Sequence, residues 1–119
     1  MRNIFNFKGK IIMRLLTTAV FFSLFLGLLA FGAEVKIKSL SYDPKVIEIT
    51  QGDSITWKNT AYTEHSATSD DLKAFDTGLI VPGKESSITF KNAGEFKYHC
   101  AVHGKTMSGT VMVKAAAQK

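Results

Sequence analysis

Short runs in which apolar and polar residues alternate recur from residue 33 onward and limit the possible fold most strongly. A period of two places every second side chain on the same face of a β-strand. Segments with turn-forming residues, such as QGDS (51–54) and KNAG (91–94), separate the runs. The pattern predicts an all-β, antiparallel β-sandwich of about seven to eight strands. Only residues 60–83 are less regular, and SDDLKAF (69–75) is expected to form a helical turn. The alternating apolar positions are Val35 and Ile37, Ile47 and Ile49, Ile55 and Trp57, Ile88 and Phe90, Phe96, Tyr98 and Cys100, and Val111 and Val113.

The first 32 residues differ in composition from the rest of the chain. Four basic residues lie in positions 1–14, and residues 15–33 carry no charge. Ala30 and Gly32 are small residues at the positions that a signal peptidase reads before a cut after Gly32. We therefore expect residues 1–32 to be a cleaved signal peptide, or 1–33 if the cut follows Ala33, and residues 33–119 to be a periplasmic domain. The alternative is a membrane-anchored protein facing the periplasm, since the uncharged stretch approaches the ~20 residues that span a bilayer.

The charge balance of the expected domain differs from that of the whole chain. The chain has 15 Lys plus Arg against 10 Asp plus Glu, but from residue 33 onward 11 lysines and no arginine face all 10 acidic residues. Without arginine the domain lacks the planar fork that recognises phosphate and guanine. We therefore expect no nucleic-acid partner. The mature chain is also expected to be a monomer without stable membrane insertion.

The segment YHCAVHGKTM (98–107) contains the single cysteine of the chain, two of its three histidines and one of its four methionines. Cys100 ends an alternating run on its inward face, so its thiol is expected to point into the sandwich. His103 and Met107 follow in a predicted loop, with the next strand beginning near Gly109. Such a loop can bring a thiolate, an imidazole and a thioether to one point.

His65 is the remaining histidine, and it lies in a loop after the strand that ends with WKNT (57–60). Two imidazoles, one thiolate and one weak thioether form the ligand set of blue-copper electron-transfer sites. Sulfur donors suit Cu(I) and imidazoles suit Cu(II), so such a site needs little rearrangement when an electron moves. His65, Cys100, His103 and Met107 are therefore candidate donors of such a type 1 copper site.

Three segments resemble the cupredoxins, especially bacterial plastocyanin-like and amicyanin-like members. GEFKYHCAVHGKTMSGTVMV (94–113) is similar to their C-terminal ligand segment, and YDPKVIEITQGDSITWKNT (42–60) and FDTGLIVPGKESSITF (75–90) are similar to the rest of their fold. The resemblance implies a Greek-key cupredoxin-like sandwich that carries single electrons between larger redox proteins and is not an enzyme. It also implies one copper ion with the ligands His65, Cys100, His103 and Met107.

Two features depart from the plastocyanin-like and amicyanin-like pattern. Met107 follows His103 by four positions, one more than in amicyanin-like members and one fewer than in plastocyanin-like members. Glu64 precedes His65 where those relatives commonly have proline. The resemblance therefore indicates the superfamily and no named member. It also implies that Ser66 ties the two ligand loops together, and Asn59 is expected to brace the loop of His65.

Other functions are compatible with some of these residues. A copper-handling protein without a redox role would use the same ligands, although the domain has no methionine-rich or histidine-rich tract. Cys100 activated by His103 would be the nucleophile of an enzyme. Cys100 with two histidines would also suit zinc, but a zinc site would leave Met107 without a role. Cys100 alone would be read as an inert buried thiol.

The expected exit for electrons is His103, because its ring edge should reach the surface at the end of the sandwich. Redox partners are expected to dock transiently near His103, with Lys105 and Glu64 at the edge of the contact. His99 alternates outward from Cys100 and is expected to be an exposed strand residue that offers a second route.

Overall fold

The computed structural model describes residues 32–117, and all of the predicted leader except Gly32 lies outside them. These residues form an all-β sandwich of two four-stranded sheets, which confirms the predicted fold class. The part of the chain from 32 to 117 contains no helix long and apolar enough to cross a membrane. The strands are β1 (Gly32–Ile37), β2 (Tyr42–Asp43), β3 (Val46–Thr50), β4 (Ser54–Asn59), β5 (Thr68–Ser69), β6 (Glu85–Thr89), β7 (Gly94–Cys100) and β8 (Gly104–Lys114).

Both sheets are mixed, whereas the alternation predicted antiparallel pairing throughout. One sheet has the order β2-β1-β4-β6 and the other β3-β8-β7-β5. β1 pairs in parallel with β4, and β3 pairs in parallel with β8. Alternation gives the same pattern in both kinds of pair, because strand direction depends on the connections and not on which face is apolar.

β8 begins at Gly104 and not near Gly109 as predicted, so the loop after β7 is shorter than expected. Cys100 pairs with Gly104 across the β7–β8 hairpin, but the preceding residue, His99, pairs with Ser108. Residues 105–107 are therefore extra on the β8 side, and the ladder is irregular there. Such bulges change the direction of side chains next to functional sites. Met107 thus lies in the irregular first part of a strand and not in a loop.

The expected helical turn over residues 69–75 is not formed. Leu72 has a φ of 61°, which is incompatible with a right-handed helix. The Asp71 carboxylate instead accepts hydrogen bonds from the backbone N–H groups of Ala74 and Lys73 and from the Ser69 hydroxyl. These hydrogen bonds lower the pKa of Asp71 to about 2. Asp71 therefore stabilises a tight turn, the usual role of aspartate in non-helical segments.

An aromatic cluster around Trp57 fills the space between the sheets. Its ring stacks on Phe75 at 5.5 Å between centroids and meets the edge of Tyr98 at 5.6 Å. The Trp57 indole N–H donates to the Tyr98 hydroxyl over 3.3 Å, and burial raises the pKa of Tyr98 to about 12. The Tyr98 ring lies so close to Gly109 that a Cβ there would be 2.6 Å from it. Gly109 is therefore required by the position of Tyr98, on the strand that leads to Cys100.

Candidate metal centre

Cys100 lies at the centre of a cluster of three donors. It is the last residue of β7, and its side chain is fully buried. Its Sγ is 3.7 Å from Nδ1 of His65 and 3.6 Å from Nδ1 of His103. One donor atom from each of the three residues lies within 4.8 Å of the others. The two imidazole rings are close neighbours, with centroids 4.8 Å apart and planes inclined by 30°.

The spacing of these donors fits one small metal ion. Taking bond lengths of about 2.0–2.1 Å to nitrogen and about 2.3 Å to sulfur, as for zinc, angles between tetrahedral and trigonal separate the two atoms by about 3.6–3.8 Å. The observed distances of 3.6 and 3.7 Å agree with this separation. The residues can therefore hold a metal through two nitrogens and one sulfur with little movement.

Met107 contributes a sulfur atom to the same part of the interior. Its side chain is fully buried and belongs to the same hydrophobic cluster as Cys100. It is the last of the three extra residues at the beginning of β8, on the strand that pairs with the strand of Cys100. Two histidines, one cysteine and a weak methionine are typical of blue-copper sites, whereas structural zinc sites use cysteine and histidine without methionine.

The backbone of His65 is attached to a second loop. His65 N–H donates to the Ile80 carbonyl over 3.2 Å, and Ile80 N–H donates back over 2.7 Å. The Asn59 side chain donates to the carbonyls of Thr63 and Ile80 over 2.8 and 2.7 Å. Its oxygen accepts from the N–H of Ala61. The fully buried Asn59 therefore braces the His65 loop from the end of β4, as expected.

Ser66 connects the loop of His65 to the loop after Cys100. Its hydroxyl accepts a hydrogen bond from the Ala101 N–H over 2.9 Å and contacts the Thr68 hydroxyl at 2.9 Å. Its carbonyl accepts a hydrogen bond from the Tyr42 hydroxyl. Burial, the main cause, raises the pKa of Tyr42 and keeps this donor protonated. The link between the ligand loops that the sequence implied is thus present in the structure.

The environment of His65 favours a neutral imidazole. Burial is the main cause of its lowered pKa, and the neighbouring imidazole of His103 lowers it further. Only a neutral ring has a free lone pair for a metal. Every buried side-chain nitrogen and oxygen between residues 32 and 117 has a hydrogen-bond partner, so the site lies in a fully paired polar environment.

His103 is half-buried and lies in the loop between β7 and β8. Val102 and Lys105, near it in the sequence, are exposed, and so is Glu64 beside His65. Leu79 and Val81, on either side of Ile80, are exposed as well. The end of the sandwich that carries the donors therefore presents apolar and charged side chains to solvent.

His99 differs from the expectation of an exposed strand residue. Its side chain is only 15% exposed, and its Nδ1 lies 2.7 Å from the Asp70 carboxylate. It is less buried than Tyr98 and Cys100 on either side of it, but Asp70, the residue after β5, contacts its ring. Alternation indicated the face of the strand correctly, whereas the partner comes from a segment 29 residues away.

Thr63 is a residue near the donors that the sequence did not single out. Its hydroxyl lies 3.2 Å from Nε2 of His65, the ring nitrogen opposite the one that faces Cys100. Nothing in the pattern of residues 60–65 marks a threonine two positions before a histidine as its partner, because the contact depends on how the loop turns back.

The chain belongs to the cupredoxin-like domain family, because the model of that family matches residues 29–113. Chloroplastic plastocyanin from Tetradesmus obliquus is 34% identical over 104 residues, which cover 75% of this chain and 72% of that protein.

Solved structures of similar fold agree with this assignment. Purple cupredoxin from Nitrosopumilus maritimus has a TM-score of 0.62 at 25% identity, over 69% of this chain and 99% of that protein. An oxidised amicyanin mutant has a TM-score of 0.64 at 25% identity, over 74% of this chain and 88% of that protein. A copper-containing nitrite reductase from Thermus scotoductus has a TM-score of 0.67 at 26% identity, over 76% of this chain but only 24% of the enzyme.

The Ser66 link leads to a prediction about the metal-free protein. Ser66→Ala removes the acceptor of the Ala101 N–H and is expected to lower the free energy of unfolding by about 1–3 kcal/mol, measured by urea denaturation. Ser54→Ala is the control, since its hydroxyl bonds Thr89 on the exposed surface, and a change within about 0.5 kcal/mol is expected. Equal effects of the two substitutions would contradict a special role of Ser66.

Proposed function

We propose that this protein binds one type 1 copper ion and carries single electrons between larger redox proteins. The proposed ligands are His65, Cys100, His103 and Met107. The observation that carries the proposal is the buried Cys100 thiol with an imidazole Nδ1 at 3.6 Å and another at 3.7 Å. Bound copper would supply reversible one-electron chemistry between Cu(I) and Cu(II).

The protein's own residues suit a carrier because they hold the donors in place. Asn59 braces the loop of His65, Ser66 ties this loop to the one after Cys100, and the strand pair β7–β8 carries the other donors. A site held in this way changes its geometry little between two oxidation states, and a small rearrangement favours fast electron transfer. An enzyme would also need an open place for substrate, and burial of Cys100 and Met107 gives none at the thiol.

The alternative is a protein that takes up copper and passes it on. The enclosed donor set favours the carrier, because a metal handed to another protein must be reached by incoming ligands. The nitrite reductase neighbour provides no argument for catalysis here, since this chain matches 24% of that enzyme. We therefore propose that the protein is not an enzyme.

We also propose that partners dock at the end of the sandwich that carries His103. His103 is the one half-buried imidazole of the donor cluster, whereas His65 is fully buried. The exposed apolar side chains of Val102, Leu79 and Val81 suit a small and transient contact. His99 is a less suitable exit, because Asp70 covers its ring.

Residues 1–32 are proposed to be a cleaved signal peptide that exports a monomeric domain to the periplasm, with a membrane-anchored form as the alternative. β1 begins at Gly32, and Ala33 to Ile37 pair with β4. Cleavage after Gly32 would therefore preserve five of the six paired positions of β1. Mass spectrometry of the protein purified from cells that export it would identify the first residue, and an intact leader in the membrane fraction would favour the anchored form.

The ligand roles predict different results for two substitutions. Cys100→Ser is expected to abolish the intense visible absorption of the copper-loaded protein, since a hydroxyl does not replace a thiolate. Met107→Leu is expected to retain the absorption and raise the reduction potential, because a weak bond from the thioether would favour Cu(II). Visible spectra and redox titrations of both variants test this. Loss of colour in Met107→Leu, or its retention in Cys100→Ser, would contradict the assigned roles.

If electrons leave near His103, the charge of nearby Lys105 should affect the reaction with an anionic oxidant. Lys105→Glu is expected to slow oxidation of the reduced protein by hexacyanoferrate(III) at least about threefold at low ionic strength. High salt should remove the difference, and the visible spectrum should be unchanged. Lys91→Glu is the matched control, because Lys91 lies in the turn before β7, at the opposite end of that strand from Cys100. An equal or larger effect of Lys91→Glu would place the exit elsewhere.

A further inference from the structure

We propose that Thr63 is a positioning residue that fixes the orientation and the tautomer of the His65 imidazole. The inference rests on the proposed copper site and adds a residue to it. It starts from the two nitrogens of one ring, since Nδ1 faces Cys100 Sγ at 3.7 Å and Nε2 lies 3.2 Å from the Thr63 hydroxyl.

The hydroxyl of Thr63 can accept a hydrogen bond from Nε2–H, the tautomer that leaves Nδ1 free. A metal beside Cys100 needs a lone pair on Nδ1, so Nε2 must carry the proton. A hydroxyl oxygen accepts this hydrogen bond, and the distance of 3.2 Å lies within the range for N–H···O bonds. Because His65 is fully buried, Nε2–H has no access to solvent that could replace this acceptor.

Thr63 can hold the ring because its own backbone is held. The Asn59 side chain donates to the Thr63 carbonyl over 2.8 Å and to the Ile80 carbonyl over 2.7 Å. Ile80 in turn exchanges both backbone hydrogen bonds with His65. Asn59 therefore fixes the backbone on both sides of the imidazole, and the hydroxyl of Thr63 completes the support at the ring itself.

This support matters because the residue before His65 does not itself restrict the backbone. Glu64 lies between Thr63 and His65, and glutamate leaves φ free where a proline would fix it. Asn59, at the end of β4, holds the Thr63 carbonyl, and the Thr63 hydroxyl contacts the imidazole. These two contacts connect β4 to the ring without depending on the backbone of Glu64. Hydrogen bonds to the outer nitrogen of a ligating histidine orient the ring and make it a stronger base.

The expected consequence is a preference for Cu(II). A more basic imidazole stabilises the more highly charged ion more strongly, so removal of the acceptor should weaken Cu(II) binding relative to Cu(I). Loss of such partners typically weakens metal binding about 10- to 100-fold. If Cu(II) affinity falls tenfold relative to Cu(I), the reduction potential rises by about 59 mV for this one-electron couple.

Three variants test the proposal. Thr63→Val removes the hydroxyl and keeps the branched shape, whereas Thr63→Ser keeps the hydroxyl. Thr60→Val is the matched control in the same loop, because the Thr60 hydroxyl bonds the Ile37 carbonyl and not the ring. The measurements are the affinity for Cu(II) in competition with a chelator, the reduction potential, and the tautomer of His65 in the metal-free protein from ring ¹⁵N chemical shifts.

We expect weaker Cu(II) binding and a higher potential for Thr63→Val, with values close to the parent for Thr63→Ser and Thr60→Val. In the metal-free parent the Nε2–H form of His65 should predominate, and Thr63→Val should reduce its share. A Thr63→Val variant that matches the parent in potential and tautomer would overturn the proposal, as would a Thr60→Val variant with equal changes. If the parent itself binds no copper, the proposed function fails, whereas the tautomer measurement still tests Thr63.

Discussion

The approach of two imidazole nitrogens to one buried thiol is the constraint on which the other features near the site depend. The Nδ1 atoms of His65 and His103 lie 3.7 and 3.6 Å from Cys100 Sγ, and Cys100 and His65 are fully buried. Bringing three polar donors together in the interior costs free energy unless their other polar atoms are paired. The Thr63 hydroxyl beside His65 Nε2 meets this requirement for one ring, and the hydrogen bonds of Asn59 and Ser66 keep the loops of the donors in position.

The architecture divides this work between two parts of the sandwich. The β7–β8 hairpin carries Cys100, His103 and Met107 within eight residues. The bulge at the beginning of β8 places Met107 shortly after the loop that contains His103. The loop after β4 supplies His65 from the other sheet, and hydrogen bonds between the loops connect the two parts. A site assembled from both sheets is held by the whole core, so its geometry is expected to depend little on the oxidation state of a bound metal.

Much of this could be predicted from the sequence because the signals are local. Alternation indicated six of the eight strands and missed the two-residue strands β2 and β5, and the spacing of donors in residues 98–107 indicated Cys100, His103 and Met107. The parallel pairing of β3 with β8, the contact of Asp70 with His99 and the support of His65 by Thr63 could not be predicted. Each depends on which distant segments meet, or on how one loop turns back, and neither is encoded in a short pattern of residue types.

X-ray absorption at the copper edge tests the central claim most directly, because it reports the atoms bound to the metal. The protein loaded with one equivalent of copper should show one short copper–sulfur bond and two copper–nitrogen bonds, in both the oxidised and the reduced form. Bond lengths should change little between the two forms. A shell of only nitrogen and oxygen, or a coordination number that changes on reduction, would contradict a thiolate-bound electron-transfer site at Cys100.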